Sequence, residues 1–228
     1  MKFQKIERLF FNILTYSFLL PTLSFSIYFN KLKSNKVAVA VSIYSAVIFL
    51  LLFFDDFLSS NYRAIYSTFY TTVEYCCFSY VIAHIIQNKK IRIVILILSI
   101  FFIGLEISTN FLIDRFRTLD SVPIGVETIL IFIYTFYLFY EQFQVMETGY
   151  IYNKGWFWFI VGIIFYLSSS FFFNILASDH LALAKKYWSL TLIFETVKNI
   201  LFFVGIILLL KRRGKGKNSS SIPYLDMV

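Results

Sequence analysis

Seven mainly apolar stretches follow one another along the chain, and only short polar connections separate them. Each stretch is close to the ~20 residues with which a helix crosses a ~30 Å hydrocarbon core. The stretches occupy residues 9–29, 37–58, 64–87, 91–113, 122–140, 156–177 and 187–210. The pattern predicts an all-α, polytopic membrane protein, a seven-transmembrane-helix bundle over residues 1–210. Residues 211–228 are predicted to form a basic, disordered cytoplasmic tail.

Composition and charge agree with a membrane location. Of the 228 residues, 59% are hydrophobic and 15% are charged, whereas about a quarter of a soluble chain is charged. A net charge of +8 would indicate a nucleic-acid partner in a soluble protein. Here the basic residues lie in the connections and the tail, where orientation in the bilayer and lipid contact explain them. We therefore expect the lipid bilayer as partner and no nucleic acid.

The distribution of Lys and Arg predicts an orientation. With seven spans, the connections alternate between the two sides, and the side of the C-terminal tail holds twelve basic residues against eight on the other. Because cytoplasmic connections carry the excess of positive charge, the C-terminus is predicted to be cytoplasmic and the N-terminus external. The expected location is the bacterial inner (plasma) membrane.

Two prolines indicate local helix geometry. Pro21 lies inside the first apolar stretch, where it is expected to kink the helix. Pro123 follows Asp120 and Ser121, an order typical of a helix start with proline in the first turn.

Several polar side chains lie within the predicted spans, where a charge costs at least ~2.5 kcal/mol and therefore usually faces the bundle interior. In the predicted orientation most of them fall in the outer half of the bundle, where Asp55 and Asp56 also end the second stretch. They form the candidate ligand or ion pocket: Glu74, Glu106, Glu127, Asn174, Glu195, Lys198 and Asn199.

The seventh stretch gives the sharpest pattern. Thr191, Glu195, Lys198, Asn199 and Phe202 recur at three- and four-residue spacing, so they share one helix face that is expected to point inward. Lys198 can pair with Glu195 on its own helix or with Glu74 across the bundle. Such a network can simply fix helix packing, or it can form a binding site for a ligand or an ion, and both interpretations stay open.

No catalytic site is predicted. The sequence has no nucleophile with a paired base, no phosphate-binding glycine loop and no metal-ligand spacing, so we expect no enzyme activity, no metal and no cofactor. Cys76 and Cys77 are adjacent in an apolar stretch and are interpreted as packing residues. A remote alternative is a retinal-binding protein with a Schiff base at Lys198. It rests on fold-level analogy alone, because the Glu195–Lys198 spacing differs from that of the retinal-binding rhodopsins.

Three stretches carry a resemblance: DSVPIGVETILIFIYTFYLFYEQ at 120–142, FWFIVGIIFYLSSSFFFNILA at 157–177 and KNILFF at 198–203. They resemble a group of uncharacterised small bacterial seven-span membrane proteins, related to membrane bundles found beside or fused to sensor histidine kinases. The resemblance implies a sensor or receptor-like bundle coupled to a sensor histidine kinase or another cytoplasmic signalling partner. A small secondary transporter or proton-coupled carrier is the alternative function.

Overall fold

The computed structural model describes residues 2–54, 63–112, 121–144, 151–179 and 181–215. These residues form α-helices, with one 3-10 turn at Ile151–Asn153. In chain order the helices are α1 (Lys2–Ser17), α2 (Leu19–Ile27), α3 (Phe29–Leu32), α4 (Lys36–Phe54), α5 (Arg63–Ile85), α6 (Lys89–Leu112), α7 (Ser121–Gln144), α8 (Gly155–Asp179) and α9 (Leu181–Lys215). The all-α class predicted from the sequence is confirmed.

Within the described ranges, six helical segments are long and apolar enough to cross a membrane. They lie in α1–α2 taken together and in α4, α6, α7, α8 and α9. Large apolar side chains cover the outside of the bundle, including Phe101, Phe136 and Phe172, which are 68–72% exposed. A soluble monomer rarely exposes so much contiguous apolar surface, whereas lipid solvates it. The chain is a multi-pass membrane protein.

Helix α5 is less apolar than these six segments because its sequence, RAIYSTFYTTVEYCCFSYVIAHI, contains many hydroxyl-bearing side chains and Glu74. Consecutive long helices pack side by side, and α9 closes the arrangement by packing against α1 and α2. Helix α5 contacts α4 and α6 and, in addition, α7 and α8. Its polar side chains Thr71, Glu74 and Ser79 are accordingly buried against protein.

Pro21 interrupts the first apolar segment as expected. The segment is split at Phe18, between α1 and α2. Proline has no N–H to donate to the carbonyl four residues earlier, which is that of Ser17, and its ring crowds the same carbonyl. The break therefore lies one turn before the proline.

The last two helices extend beyond the predicted spans. Helix α8 continues to Asp179 and α9 begins at Leu181, so the connection predicted between 177 and 187 is largely helical. The residues LALAKK at 181–186 are strong helix formers, which explains the extension. Helix α9 also continues to Lys215, so the first five residues of the predicted disordered tail are helical, and basic residues suit the C-terminal end of a helix dipole. Residues 216–228 of the tail lie outside the described part, as do Asp55 and Asp56.

Two asparagines and a glutamate fix one end of the bundle. The side chain of Asn35 accepts hydrogen bonds from the backbone N–H groups of Val37 and Ala38, and so caps α4. Asn88 caps α6 in the same way through the N–H of Lys90. Glu141 of α7 accepts from the N–H groups of Gln87 and Asn88 at 2.7 and 2.9 Å. We call this the basic end of the bundle, where α4 and α6 begin and α5 ends at a lysine-rich surface.

Glycines allow α8 and α9 to approach most closely. A Cβ atom added at Gly205 would lie 2.8 Å from the carbonyl oxygen of Gly155 and 2.5 Å from the ring of Phe159. A Cβ at Gly155 would lie 2.5 Å from the carbonyl oxygen of Gly205. Small residues at such crossings let helix backbones touch in membranes, where packing replaces the hydrophobic driving force.

We predict that Gly205→Ala lowers stability by about 1–3 kcal/mol, because the added methyl must separate two backbones. The control is Gly104→Ala on α6, where an added Cβ meets nothing within 4 Å. That change should be neutral or slightly stabilising, because alanine favours helix. Thermal unfolding in detergent measures both variants. Equal melting temperatures for Gly205→Ala and the wild type would contradict the close crossing.

Candidate functional site

The face of α9 identified in the sequence points into the bundle. Lys198, Asn199 and Phe202 are fully buried, and Glu195 is 8% exposed. Thr191, one turn before Glu195, is half-buried. The three- and four-residue spacing therefore aligns the polar groups along the inner side of α9.

Lys198 is the centre of a hydrogen-bonded network that joins three helices. Its Nζ atom donates to the hydroxyl of Tyr44 on α4 at 2.7 Å and to Oε1 of Glu74 on α5 at 3.3 Å. It also lies 3.6 Å from Oε1 of Glu195, one turn earlier on α9. Both ion pairs considered from the sequence are therefore present together, and one lysine is shared by two carboxylates.

Aromatic rings surround the same ammonium group. Its Nζ atom lies 3.8 Å from the ring centroid of Tyr166, and 5.1–5.6 Å from those of Tyr44, Phe78 and Phe18. Aromatic faces attract a cation within about 6 Å, most strongly where water is excluded. The rings come from α8, α4, α5 and the α1–α2 junction. The ammonium group of Lys198 on α9 therefore contacts side chains from all four of these regions.

Tyrosine hydroxyls complete the coordination of the carboxylates. Glu74 accepts from Tyr44 at 2.7 Å and from Tyr166 at 2.9 Å. Glu195 accepts from Tyr70, a residue one turn before Glu74 on α5. Hydrogen bonds to charged acceptors are about twice as strong as neutral ones. The buried charges are thus paired and hydrogen-bonded, which is the condition under which a protein interior tolerates them. We call Tyr44, Tyr70, Glu74, Tyr166, Glu195 and Lys198 the lysine network.

Asn199 links α9 to the proline break of the first segment. Its Nδ2 donates to the hydroxyl of Ser17 at 2.7 Å, and that hydroxyl donates to the carbonyl of Leu14 at 2.6 Å. Ser17 is the last residue of α1, directly before the interruption at Phe18. The break produced by Pro21 therefore places both a hydroxyl and an aromatic ring against the polar face of α9.

The remaining predicted pocket residues lie outside the lysine network. Glu127 on α7 and Glu106 on α6 are buried, and they are close enough to interact electrostatically with each other. Glu127 is also within electrostatic reach of Glu74 and Lys198, and its Oε1 atom has no hydrogen-bond partner among the described residues. Asn174 is half-buried and donates to the carbonyl of Ser170 on its own helix. The structure thus brings Glu74, Glu195 and Lys198 into contact and places Asn174 apart.

The tyrosines of the network were missed in the sequence. Tyrosine is abundant in this chain, with 16 residues, so no single one stands out. A signal was nevertheless available, because Tyr44, Tyr70 and Tyr166 lie well inside apolar stretches rather than at their ends. A buried tyrosine hydroxyl usually requires a partner, and in a membrane helix that partner must be another protein group.

The carboxylates and the ammonium group of the lysine network are buried against one another. Two cavities lined by described residues lie beside the network, one of about 280 Å³ at the basic end and one of about 530 Å³ between α4 and α5. Tyr44 belongs both to the network and to the lining of the second cavity. In the described part of the chain, no three His, Cys, Asp or Glu side chains are placed to hold a metal ion. In this arrangement the network can hold helices in register. A change in its hydrogen bonds would alter the contacts of α4, α5, α8 and α9 together.

We predict that Lys198→Met destabilises the protein by about 3–5 kcal/mol, because two buried carboxylates lose their shared cation. The double variant Glu74→Gln/Lys198→Met should recover most of that loss, because it restores the original formal charge of the network. The glutamine amide can still accept from one tyrosine hydroxyl through its oxygen and donate to the other through its nitrogen. Thermal unfolding in detergent gives the comparison.

Lys211→Met is the matched control, since Lys211 is an exposed residue at the end of the same helix. It should change stability by less than about 0.5 kcal/mol. A double variant as unstable as the single one would mean that Glu195, rather than Glu74, is the main partner of Lys198. The corresponding Glu195→Gln/Lys198→Met protein tests that outcome.

Comparison with family models, with curated proteins and with solved structures finds no match for this chain. The resemblance to bundles associated with sensor histidine kinases therefore stays a prediction.

Proposed function

We propose that this chain is a non-enzymatic, seven-span membrane sensor, in which the lysine network sets the arrangement of the helices and a cytoplasmic partner reads it. The observation that carries the proposal is the sharing of one buried lysine between Glu74 and Glu195 on two helices. Because one ammonium group is shared by a carboxylate on its own helix and a carboxylate on α5, it can strengthen either ion pair at the expense of the other. Such a group can couple a small stimulus to a change in helix packing.

The seventh span of the proposal is α5. Its 23 residues make a helix about 35 Å long at ~1.5 Å per residue, which is enough to cross a ~30 Å core. Polar side chains on a membrane helix are tolerated where protein surrounds them, and α5 is packed by α4, α6, α7 and α8. The central position of α5 thus supports its inclusion, although its composition is the least apolar.

The proposed orientation has the N-terminus outside and the C-terminus in the cytoplasm of a bacterial inner membrane. It makes the basic end cytoplasmic, because Lys33, Lys36, Lys89 and Lys90 lie there and α9 ends there. Residues of α4, α5, α7, α8 and α9 line one cavity at that end, so these helices converge at the surface where a partner would bind. A sensor histidine kinase is the proposed partner, on the basis of the resemblance described above.

We predict that a reporter fused after Val228 is cytoplasmic and that one fused before Met1 is external. The reason is the excess of Lys and Arg on the C-terminal side combined with an odd number of spans. Alkaline phosphatase and fluorescent-protein fusions measure the two locations, and a reporter in the connection at 145–150 should be cytoplasmic as an internal control. Termini found on the same side would exclude seven spans.

A small secondary transporter or proton-coupled carrier is the second candidate. The observation in its favour is the succession of buried carboxylates Glu106, Glu127 and Glu74 on the neighbouring helices α6, α7 and α5. Buried carboxylates mark proton pathways in many membrane carriers. A retinal-binding role remains the remote third possibility, since it would require Lys198 to leave both carboxylates.

A single hydroxyl deletion separates sensor from carrier. Tyr166→Phe removes one donor from Glu74, while Tyr140→Phe removes a hydroxyl from a side chain that is 60% exposed. For a sensor, Tyr166→Phe should shift the distance distribution between spin labels at positions 89 and 211, and Tyr140→Phe should not. The labels replace Lys89 and Lys211 in a protein whose Cys76 and Cys77 are changed to serine.

Proteoliposomes with an imposed pH gradient provide the second readout. A sensor should dissipate the gradient no faster than protein-free vesicles, and a carrier should dissipate it at a rate that Glu127→Gln abolishes. Unchanged spin-label distances in Tyr166→Phe, together with gradient dissipation by the wild type, would overturn the sensor in favour of the carrier.

A further inference from the structure

An apolar groove of about 530 Å³ runs between α4 and α5 on the outside of the bundle. On α4 its lining residues recur at three- and four-residue spacing from Lys36 through Val39, Ala40 and Ile43 to Val47. On α5 they recur likewise from Val73 through Cys76 and Cys77 to Tyr80. Each helix therefore presents one continuous stripe to the groove.

The two lysines that line the groove both lie at the same end of it. Lys33 and Lys36 belong to its lining, both are exposed, and neither has an acidic partner among the described residues. Lys36 and Arg92 both lie within electrostatic reach of the His84 imidazole, so Arg92 adds positive charge near this end of the groove. The opposite end, at Val47 and Val73, is apolar. A ligand that fits must therefore be anionic at one end and apolar over the rest of its length.

The length of the groove matches one leaflet of a bilayer. From Lys36 to Val47 is eleven residues, or roughly 16 Å along α4, which is about half of a ~30 Å hydrocarbon core. Lys36 is the first residue of α4 and Lys33 precedes it by three residues, so both lie at the level where headgroups begin. The apolar end of the groove lies near the middle of the membrane. Tyr80 is 46% exposed and lies near the lysine end of the groove. Tyrosine is one of the residue types enriched at the headgroup level.

We infer that this groove is a binding site for an anionic phospholipid, with its phosphate at Lys33 and Lys36 and an acyl chain along α4 and α5 as far as Val47. The inference goes beyond the proposed function, because it holds for a sensor and for a carrier and in either orientation. Tyr44 forms part of the groove wall while its hydroxyl bonds Glu74 and Lys198. A bound acyl chain therefore packs against a residue of the lysine network.

The test is native mass spectrometry of the detergent-purified protein, titrated with phosphatidylglycerol and separately with phosphatidylcholine. The wild type should retain one phosphatidylglycerol molecule in preference to phosphatidylcholine. In Lys33→Gln/Lys36→Gln, retention of phosphatidylglycerol should fall by roughly 10- to 30-fold, because each lysine near an anionic headgroup contributes about a fivefold change in affinity. Retention of phosphatidylcholine should not change.

The control is Lys89→Gln/Lys90→Gln, which removes the same charge from the same end of the bundle at residues outside the groove. It should leave the retention of phosphatidylglycerol within twofold of the wild type. If the control loses as much phosphatidylglycerol as the groove variant, the inference is overturned, because the lipid is then attracted to the basic surface as a whole. No loss in either variant would overturn it as well.

A second variant tests the apolar part of the site with both lysines intact. Ala40→Phe places a ring in the groove and should reduce the retention of both lipids, while a thermal unfolding scan checks that the protein stays folded. Unchanged lipid retention in a folded Ala40→Phe protein would place the lipid elsewhere and refute the groove. The lysine variants alter exposed side chains, so their result stands even where Ala40→Phe fails to fold.

Discussion

A lysine ammonium enclosed by protein at the centre of a membrane bundle is the constraint on which the neighbouring packing depends. Lys198 has no access to solvent, so its charge must be balanced by groups supplied from other helices. Glu74, Glu195 and Tyr44 supply the polar contacts, and four aromatic rings fill the remaining directions. Moving any one of these helices outward would leave the charge exposed to lipid, where nothing replaces the lost contacts.

The rest of the bundle is arranged so that this network can close. The break at Phe18 brings Ser17 and a phenyl ring to the polar face of α9. Glycines at the crossing of α8 and α9 let the two backbones approach, which positions Tyr166 on α8 over the ammonium group. Helix α5 lies among four neighbours and is thereby able to carry Tyr70 and Glu74 inside a membrane protein. Each device would be unfavourable in an isolated helix and is stabilising only in the assembled bundle.

The same arrangement explains how a membrane sensor could respond without an enzyme active site. Lys198 is fully buried, so a stimulus would act on it through the helices that supply the members of the network rather than by direct contact. Tyr44 also lines a groove between α4 and α5, and it therefore connects the lipid-facing side of α4 with the buried charges. A phospholipid bound in that groove, as inferred above, would contact the lysine network through Tyr44.

The sequence by itself determined the class of the protein. A helix satisfies its backbone hydrogen bonds internally, and the apolar stretches have the length with which a helix crosses a bilayer. It also determined which face of α9 is buried, since helical periodicity aligns Glu195, Lys198, Asn199 and Phe202. The break caused by Pro21 followed from the chemistry of proline.

Only the tertiary structure decided which groups meet. The sequence allowed Lys198 to pair with either carboxylate, and the packing of α9 against its neighbours brings both within reach of the same atom. The positions of Tyr44, Tyr70 and Tyr166 inside apolar stretches indicated that each needs a protein partner. The sequence did not indicate which partner each would take, because these contacts join residues 30 to 125 positions apart. Asn174 was grouped with the pocket because of its predicted depth in the membrane, but its side chain donates a hydrogen bond to the carbonyl of Ser170 on its own helix. Depth in the membrane follows from position along a helix, whereas rotation and neighbours are properties of the assembled bundle.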